Sequence, residues 1–197
     1  MQLDAKNIGF RYENGPWLFR GVNLLVKPGE VVGIAGPSGR GKTTFCRILA
    51  GYESPIEGEV TFNDAPLPIK GYHPVQMVHQ HPEKAINAKW RMHKIINEGY
   101  RPDEQLLERL GIEPEWLTRW PHELSGGELQ RVCVARALGP NTRFLIADEM
   151  TAMLDAITQA QIWHAVTDIA QKREMGLIVV THEMKLMQRL CHRIIEL

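Results

Sequence analysis

Gly36-Pro37-Ser38-Gly39-Arg40-Gly41-Lys42-Thr43 decides how this 197-residue chain is to be read. A glycine, four residues, Gly-Lys and a hydroxyl residue make the pattern of a phosphate-binding loop, and the flanks suit it. The apolar run Val31-Val32-Gly33-Ile34-Ala35 reads as a buried strand leading in. A helical pattern with Phe45, Ile48 and Leu49 on one face leads out and stops at Gly51. Strand, glycine-rich turn and helix N-terminus together make an anion site. The glycines let backbone N–H groups approach phosphate oxygens, and the helix dipole adds positive potential. Lys42 is placed to reach the β- and γ-phosphates of a nucleotide, and the Thr43 hydroxyl to ligate magnesium. A turn that merely joined strand to helix would need neither residue in that register. The stretch predicts nucleotide binding.

The length suits one large domain, or one domain with a small inserted lobe, and is ample for a continuous core. Lysine plus arginine equals aspartate plus glutamate at 23 each, so no net field draws the chain to nucleic acid or an anionic membrane surface. The three cysteines, Cys46, Cys133 and Cys191, share no metal-like spacing, and the first two fall in helical patterns where a buried thiol acts as a small hydrophobe. A reducing compartment follows. Met1-Gln2-Leu3-Asp4 shows neither the basic segment nor the apolar core of a signal peptide. No apolar run approaches the ~20 residues of a membrane-spanning helix. A role at a membrane would need other subunits to hold the chain there.

Residues 1 to about 30 alternate apolar and polar positions, with turns at Asn14-Gly15-Pro16 and Pro28-Gly29. This predicts short antiparallel strands beside a main sheet. Gly58 to Thr61 and the stretch up to His79 read the same way, with Val75, Met77 and His79 facing one side. From Pro82 to about Pro121 short helical segments take over, one of them Asp103 to Leu110 closed by Gly111, and they predict an inserted helical lobe. Buried strands follow at Arg143 to Ala147 and Leu177 to Thr181. A helix from about Thr158 to Arg173 lies between them, with Ile162, Val166, Ile169 and Ala170 as its apolar stripe. A connection this long implies parallel pairing, with helices on both faces of the sheet.

Two further motifs carry chemistry. Phe144-Leu145-Ile146-Ala147-Asp148-Glu149 is an apolar strand ending in two carboxylates. Beside a phosphate loop the first, Asp148, enters the magnesium shell, and Glu149 is placed to polarise an attacking water as general base. Leu124-Ser125-Gly126-Gly127-Glu128 is locally a capping box, with Ser125 as the cap and Glu128 reaching back. Capping does not explain two consecutive glycines, which weaken a helix and make sense only where something approaches the backbone closely. A γ-phosphate at that end of the helix dipole is such a partner.

In this order and spacing the three motifs resemble the nucleotide-binding subunit of ATP-binding cassette (ABC) transporters, over nearly the whole chain. The resemblance implies an α/β P-loop NTPase: a mainly parallel sheet flanked by helices, an antiparallel β subdomain and an inserted α-helical subdomain. It implies one domain over 1–197, with a RecA-like core and β lobe from 1–80 and 140–197 and a helical lobe over about 82–139. ATP and Mg²⁺ are the implied cofactors. Gly36, Pro37, Ser38, Gly39, Arg40, Gly41, Lys42, Thr43 and Thr44 would cradle the phosphates, and Thr43, Gln80 and Asp148 would hold the magnesium. Tyr12 matches the aromatic that stacks on adenine, Gln80 the glutamine that senses magnesium and water, and His182 the histidine on the γ-phosphate. Asp155, in Thr151-Ala152-Met153-Leu154-Asp155, matches the loop that crosses between two ATPases. Ser125, Gly126 and Gly127 of one subunit would close over nucleotide held by the other, so hydrolysis would need a homo- or heterodimer. Taken singly, Tyr12 reads equally as core filler, Gln80 as a surface glutamine and His182 as a helix cap; only their joint register lifts them. Membrane permease subunits and a substrate-binding protein are the implied partners, without nucleic acid. The implied place is the cytoplasmic face of the inner membrane.

Pro121-His122-Glu123-Leu124 and Ile157-Thr158-Gln159-Ala160-Gln161-Ile162 are similar to stretches in subunits of peptide and nickel importers, although the cargo does not touch this subunit. Three departures stand out. Met150 replaces a common proline. Glu128-Leu129-Gln130-Arg131 departs from the usual polar continuation, which is expected to alter an outer helix face. The chain closes after Arg193 to Leu197 without the extension usual in peptide importers, which fits a compact pair of ATPases. His79-Gln80-His81 offers two imidazoles on one strand face but no third metal ligand at a suitable spacing. Trp90, Met92 and Tyr100 read either as a groove for a permease helix or as the lobe's own core. A soluble cassette ATPase acting on DNA or ribosomes would be expected to carry coiled coils, tandem cassettes or basic linkers, and none is visible. A regulator without turnover is opposed by Lys42, Gln80, Asp148, Glu149 and His182.

Overall fold

The computed structural model describes residues 1–197. In chain order the first elements are β1 (Leu3–Phe10), β2 (Phe19–Val26), β3 (Val31–Ala35), α1 (Lys42–Leu49), β4 (Glu57–Phe62), β5 (Ala65–Pro66) and β6 (Val75–Val78). There follow α2 (Met92–Ile96), α3 (Glu104–Arg109), α4 (Gly126–Ala137), β7 (Phe144–Asp148), α5 (Ala156–Lys172), β8 (Gly176–Val180), α6 (Met184–Leu190) and β9 (Arg193–Glu196). Short 3-10 turns at Pro82–Lys84, Pro114–Thr118 and Pro121–Glu123 fill the helical stretch between β6 and β7.

The strands divide between two sheets. An antiparallel sheet has the order β2-β1-β4-β5, and a second sheet has the order β6-β7-β8-β3-β9 with every pairing parallel. The α/β reading holds, with one correction. The stretch up to His79 was expected among the antiparallel strands, but β6 pairs in parallel with β7. Alternation misled there because both faces of β6 are covered: Val75 and Met77 enter one core and Val78 the other. A strand buried on both sides carries no polar face to read.

Period two is plain on the central strands. Phe144 and Ile146 of β7, with Ile178 and Val180 of β8, face a core shared with α1 and the antiparallel sheet. Leu145, Ala147, Leu177 and Val179 face a second core shared with α4, α5 and the short helices. Met92, Ile95, Ile96, Leu106 and Leu110 bury in that second core, and Trp90 and Tyr100 pack half-buried against it. Met92 and Tyr100 therefore pack into a core that the short helices share with the parallel sheet, with the Tyr100 hydroxyl donating to the Ala135 carbonyl. Cys46 and Cys133 are buried, and burial pushes the Cys133 thiol up to about 11, so neither is a ready nucleophile.

A second correction concerns α4. Leu129 and Gln130 are only 5 % and 2 % exposed, so this is an inner face and not an outer one. Leu129 joins the apolar core, while Gln130 Nε2 donates to the His79 carbonyl at 3.1 Å. No helix is long and apolar enough to cross a membrane.

Because β3, β7 and β8 run parallel as neighbours, their carboxyl ends share one edge. Ile34 of β3 and Asp148 of β7 both pair with Val180 of β8. The loop after each strand therefore opens at the same place.

Candidate functional site

Between β3 and α1 the chain makes a tight turn that only glycine can complete at two points. Gly36 has φ 149°, and a Cβ there would stand 2.8 Å from the Leu197 carbonyl oxygen. Gly41, the N-cap of α1, has φ 94°, and its Cβ would stand 2.6 Å from the Leu18 side chain. Lys42 is 7 % exposed, its Nζ donating to the carbonyls of Gly36 at 2.7 Å and Pro37 at 3.0 Å. The ammonium is thus fixed at the lip of the loop, at the positive end of α1. Thr43 is exposed and Thr44 buried, and the Thr44 hydroxyl is 2.9 Å from that of Tyr12. Tyr12 stands edge-on to Phe10 with its ring largely in solvent. A cavity of about 280 Å³ is lined by Tyr12, Ser38, Lys42, Thr43, Glu149 and His182.

At the end of β7, Asp148 is 4 % exposed and its Oδ1 is buried without a hydrogen-bond partner. Burial pushes its carboxyl above the usual carboxylate range, against the opposing pull of the neighbouring Thr43 hydroxyl; Glu149 adds to the rise and Lys42 opposes it. Glu149 turns out of the strand with a left-handed φ of 51°, a conformation that costs of order 1–3 kcal/mol in a non-glycine residue. Its N–H donates to the Val180 carbonyl at 2.9 Å, and its Oε1 lies 2.8 Å from His182 Nε2. Met150 is buried in the core behind the carboxylates, which keep their places without the proline. Gln80 lines a second cavity of about 370 Å³ with Thr43, Asp148, Arg47 and Tyr52. The histidines beside it line the same cavity, and each has a partner of its own. His79 stacks on Tyr52 at 6.2 Å, with burial and Arg47 holding its pKa down, and His81 pairs with Glu83 at 3.2 Å.

The unpartnered Asp148 oxygen, the Thr43 hydroxyl and the Gln80 amide form an oxygen set that suits a hard divalent cation.

Around Ser125 the geometry differs. Ser125 caps α4, its Oγ accepting the Glu128 N–H at 3.3 Å while Glu128 Oε2 accepts the Ser125 N–H at 2.6 Å. A Cβ on Gly126 would meet nothing within 4 Å, and one on Gly127 only Leu154 at 3.4 Å. Asp155 caps α5, accepting from the N–H groups of Ile157 and Thr158 at 3.0 Å each, bonds that hold its carboxyl below the usual range. Arg131 of α4 reaches the Leu110 carbonyl at the end of α3 at 2.6 Å and Gln161 Oε1 of α5 at 2.9 Å. Ser125, Gly127, Arg131 and Asp155 line a cavity of about 500 Å³ that shares no residue with either of the others.

The expected residues thus fall into two groups. Tyr12, the loop Gly36 to Thr44, Gln80, Asp148, Glu149 and His182 lie around two cavities that meet at Thr43, while Ser125, Gly127 and Asp155, with Gly126 beside them, lie at a third. Sequence reasoning passed over Arg131, and also Thr151, Gln159, Trp163 and Glu183, which bond to one another behind Glu149 and His182. Their one local sign is the four-residue spacing of Gln159 and Trp163 on a helix face.

A family model described as "ABC transporter" matches residues 19–152. The nickel import ATP-binding protein NikE of Rhodospirillum rubrum is 36% identical over 195 residues, covering 88% of this chain and 70% of its own. NikE of Escherichia coli strain K12 is 34% identical over 192 residues, covering 88% and 72%. The dimeric structure of the ATP-binding cassette MJ0796 in a post-hydrolysis state, bound to ADP and Pi, superposes with a TM-score of 0.83 at 27% identity, covering 99% of this chain and 94% of that one. CbiO1 from Clostridium perfringens, part of the complex cbiONQ, shares the fold at 24% identity and a TM-score of 0.80.

Proposed function

The chain belongs to the ABC transporter family, and on that premise we propose that it is the ATP-binding and ATP-hydrolysing subunit of an importer. One observation carries the proposal: Gly126 faces open space in its own chain and Gly127 meets only Leu154 at van der Waals distance, while the phosphate loop lies in a separate cavity. Each chain then supplies half of a site, and two chains make two.

In this reading the loop N–H groups and Lys42 hold the phosphates, while Tyr12 supports the base. Thr43, Gln80 and Asp148 would hold Mg²⁺, which when bound draws charge from the phosphate oxygens. Glu149 accepts a proton from the attacking water, and His182, already 2.8 Å from Glu149, orders the γ-phosphate side. Ser125, Gly126 and Gly127 of the partner subunit present the N-terminus of α4 to the same phosphate. Asp155 and its loop run along the junction. The segment 82–139 forms the lobe that carries Ser125 inward on ATP binding. Since the closed dimer makes contacts the open one lacks, ATP shifts a two-state equilibrium that a membrane permease can read.

The partners are a second ATPase subunit, identical or homologous, and permease subunits, with a substrate-binding protein on the far side. The place is the cytoplasmic face of the inner membrane. The likeness to NikE supports a peptide- or nickel-type importer. Glu149→Gln tests the assignment. ATP binding should persist, a dimer should accumulate on size-exclusion chromatography, and turnover should fall by about 10²–10⁴, the usual worth of a positioned general base. Turnover at the wild-type rate would remove Glu149 from that role.

A further inference from the structure

Glu149 and His182 sit on different loops, after β7 and β8, and the last ladder bond between them is Glu149 N–H to Val180 O. Beyond that bond the two loops meet directly where Glu149 Oε1 lies 2.8 Å from His182 Nε2, and they are also joined by one side chain from a third element. Gln159, in the first turn of α5, donates from Nε2 to Thr151 Oγ1 at 3.1 Å and to Glu183 Oε1 at 2.9 Å. Thr151 lies two residues after Glu149, and Glu183 one after His182. We propose that Gln159 is a positioning residue that holds Glu149 and His182 in register and ties both to the crossing loop ending at Asp155.

The chemistry is closed. An amide nitrogen has two hydrogens, and both are used. The reversed amide would turn its oxygen toward the Glu183 carboxylate, so the orientation is set by its partners. The Thr151 oxygen accepts two bonds, the second from Trp163 Nε1 at 3.0 Å, with Thr151 and Trp163 only 3 % and 4 % exposed. Gln159 and Trp163 lie one turn apart on α5, so one helix face grips the loop behind Glu149. The Gln159 N–H in turn donates to the Asp155 carbonyl at 2.9 Å. A shift of the crossing loop therefore moves the backbone of Gln159, and through its side chain both loops.

The inference rests on the assignment of Glu149 and His182 made above, and its test separates the two. Gln159→Leu removes both donors at similar size. In the full chain, turnover should fall about ten- to a hundredfold, the effect of a misplacement near 1 Å, with KM for ATP nearly unchanged. Amide exchange without nucleotide should quicken together over residues 149–151 and 181–183. Q159E should be worse, because it sets a carboxylate against Glu183. The double variant Q159E/E183Q reverses donor and acceptor across the same gap, lets the Thr151 hydroxyl donate, and should restore most of the turnover. Wild-type turnover in Gln159→Leu would overturn the proposal. So would a joint loss of turnover, ATP affinity and thermal stability that the double variant does not repair. If the exchange changes appear as expected but the wild-type chain does not hydrolyse ATP, the tie stands and the catalytic reading falls.

Discussion

Two glycine-rich turns open helices in this molecule, and they are glycine-rich for opposite reasons. In the turn before α1 the chain itself excludes a side chain: a Cβ at Gly41 would meet Leu18 at 2.6 Å, on a left-handed backbone. In the turn before α4 nothing in the chain excludes one, since a Cβ at Gly126 would meet open space. The first turn is completed by its own fold, whereas nothing in the fold requires the second, which under the proposed function is shaped for a partner subunit. A glycine that its own structure does not explain is therefore evidence about a partner.

Breaking the first turn should have the largest effect. Gly41→Ala forces an L-residue into the left-handed region and pushes on Leu18 and Phe19, at about 2–4 kcal/mol in sum. Thermal melting should show a clearly lower Tm, and titration calorimetry a loss of ATP binding by the single chain. A variant as stable as the wild type would mean that the turn rearranges freely, and the contrast would collapse.

Gly126→Ala should do the reverse. Alanine is the better helix former, so stability should stay level or rise by up to about 0.4–1 kcal/mol. ATP binding to the single chain should also be unchanged, because the phosphate loop lies in another cavity. The loss should appear only where two chains meet, as turnover reduced about tenfold or more when a methyl group blocks the closest approach to phosphate. Unchanged turnover would mean that this turn does not close over nucleotide.

That contrast also marks what was legible in sequence. The phosphate loop, the strand ending at Asp148 and the Ser125–Glu128 box are written in residues a few positions apart, where local sterics and hydrogen bonding decide. The sheet membership of β6 was not, because three of its four residues are buried, on both faces, and the strand pairs with one far along the chain. The inner face of α4 was missed for a similar reason. Gln130 is polar, and its burial rests on one bond from Nε2 to the distant His79 carbonyl, with its Oε1 left unpartnered. The link from Gln159 to Glu183 spans 24 residues and leaves no local pattern. The sequence could raise the question of Gly126 and Gly127, but only the structure shows that a Cβ at Gly126 would meet nothing within 4 Å and one at Gly127 only Leu154, so that the chain's own packing does not require them.

The smallest expected effect sharpens the comparison through charge. The Ser125 turn spends its acid within the chain, because Glu128 satisfies the Ser125 N–H. The phosphate side does not, since Asp148 keeps a buried oxygen unpartnered and burial raises its pKa. A carboxyl whose folded pKa lies above its unfolded value holds its proton more tightly when folded. It therefore destabilises the fold once ionised in both states, and that penalty fades as pH falls through the folded and then the unfolded value. Asp148→Asn should accordingly raise Tm of the nucleotide-free chain at neutral pH, by a margin that closes on acidification, while impairing Mg²⁺-dependent turnover. Melting both proteins between pH 7 and pH 4 checks the sign. A variant less stable at pH 7 would mean that the neighbouring Thr43 hydroxyl and Lys42 already compensate the buried charge, and that the phosphate side is as settled without its cation as the Ser125 turn is without its partner.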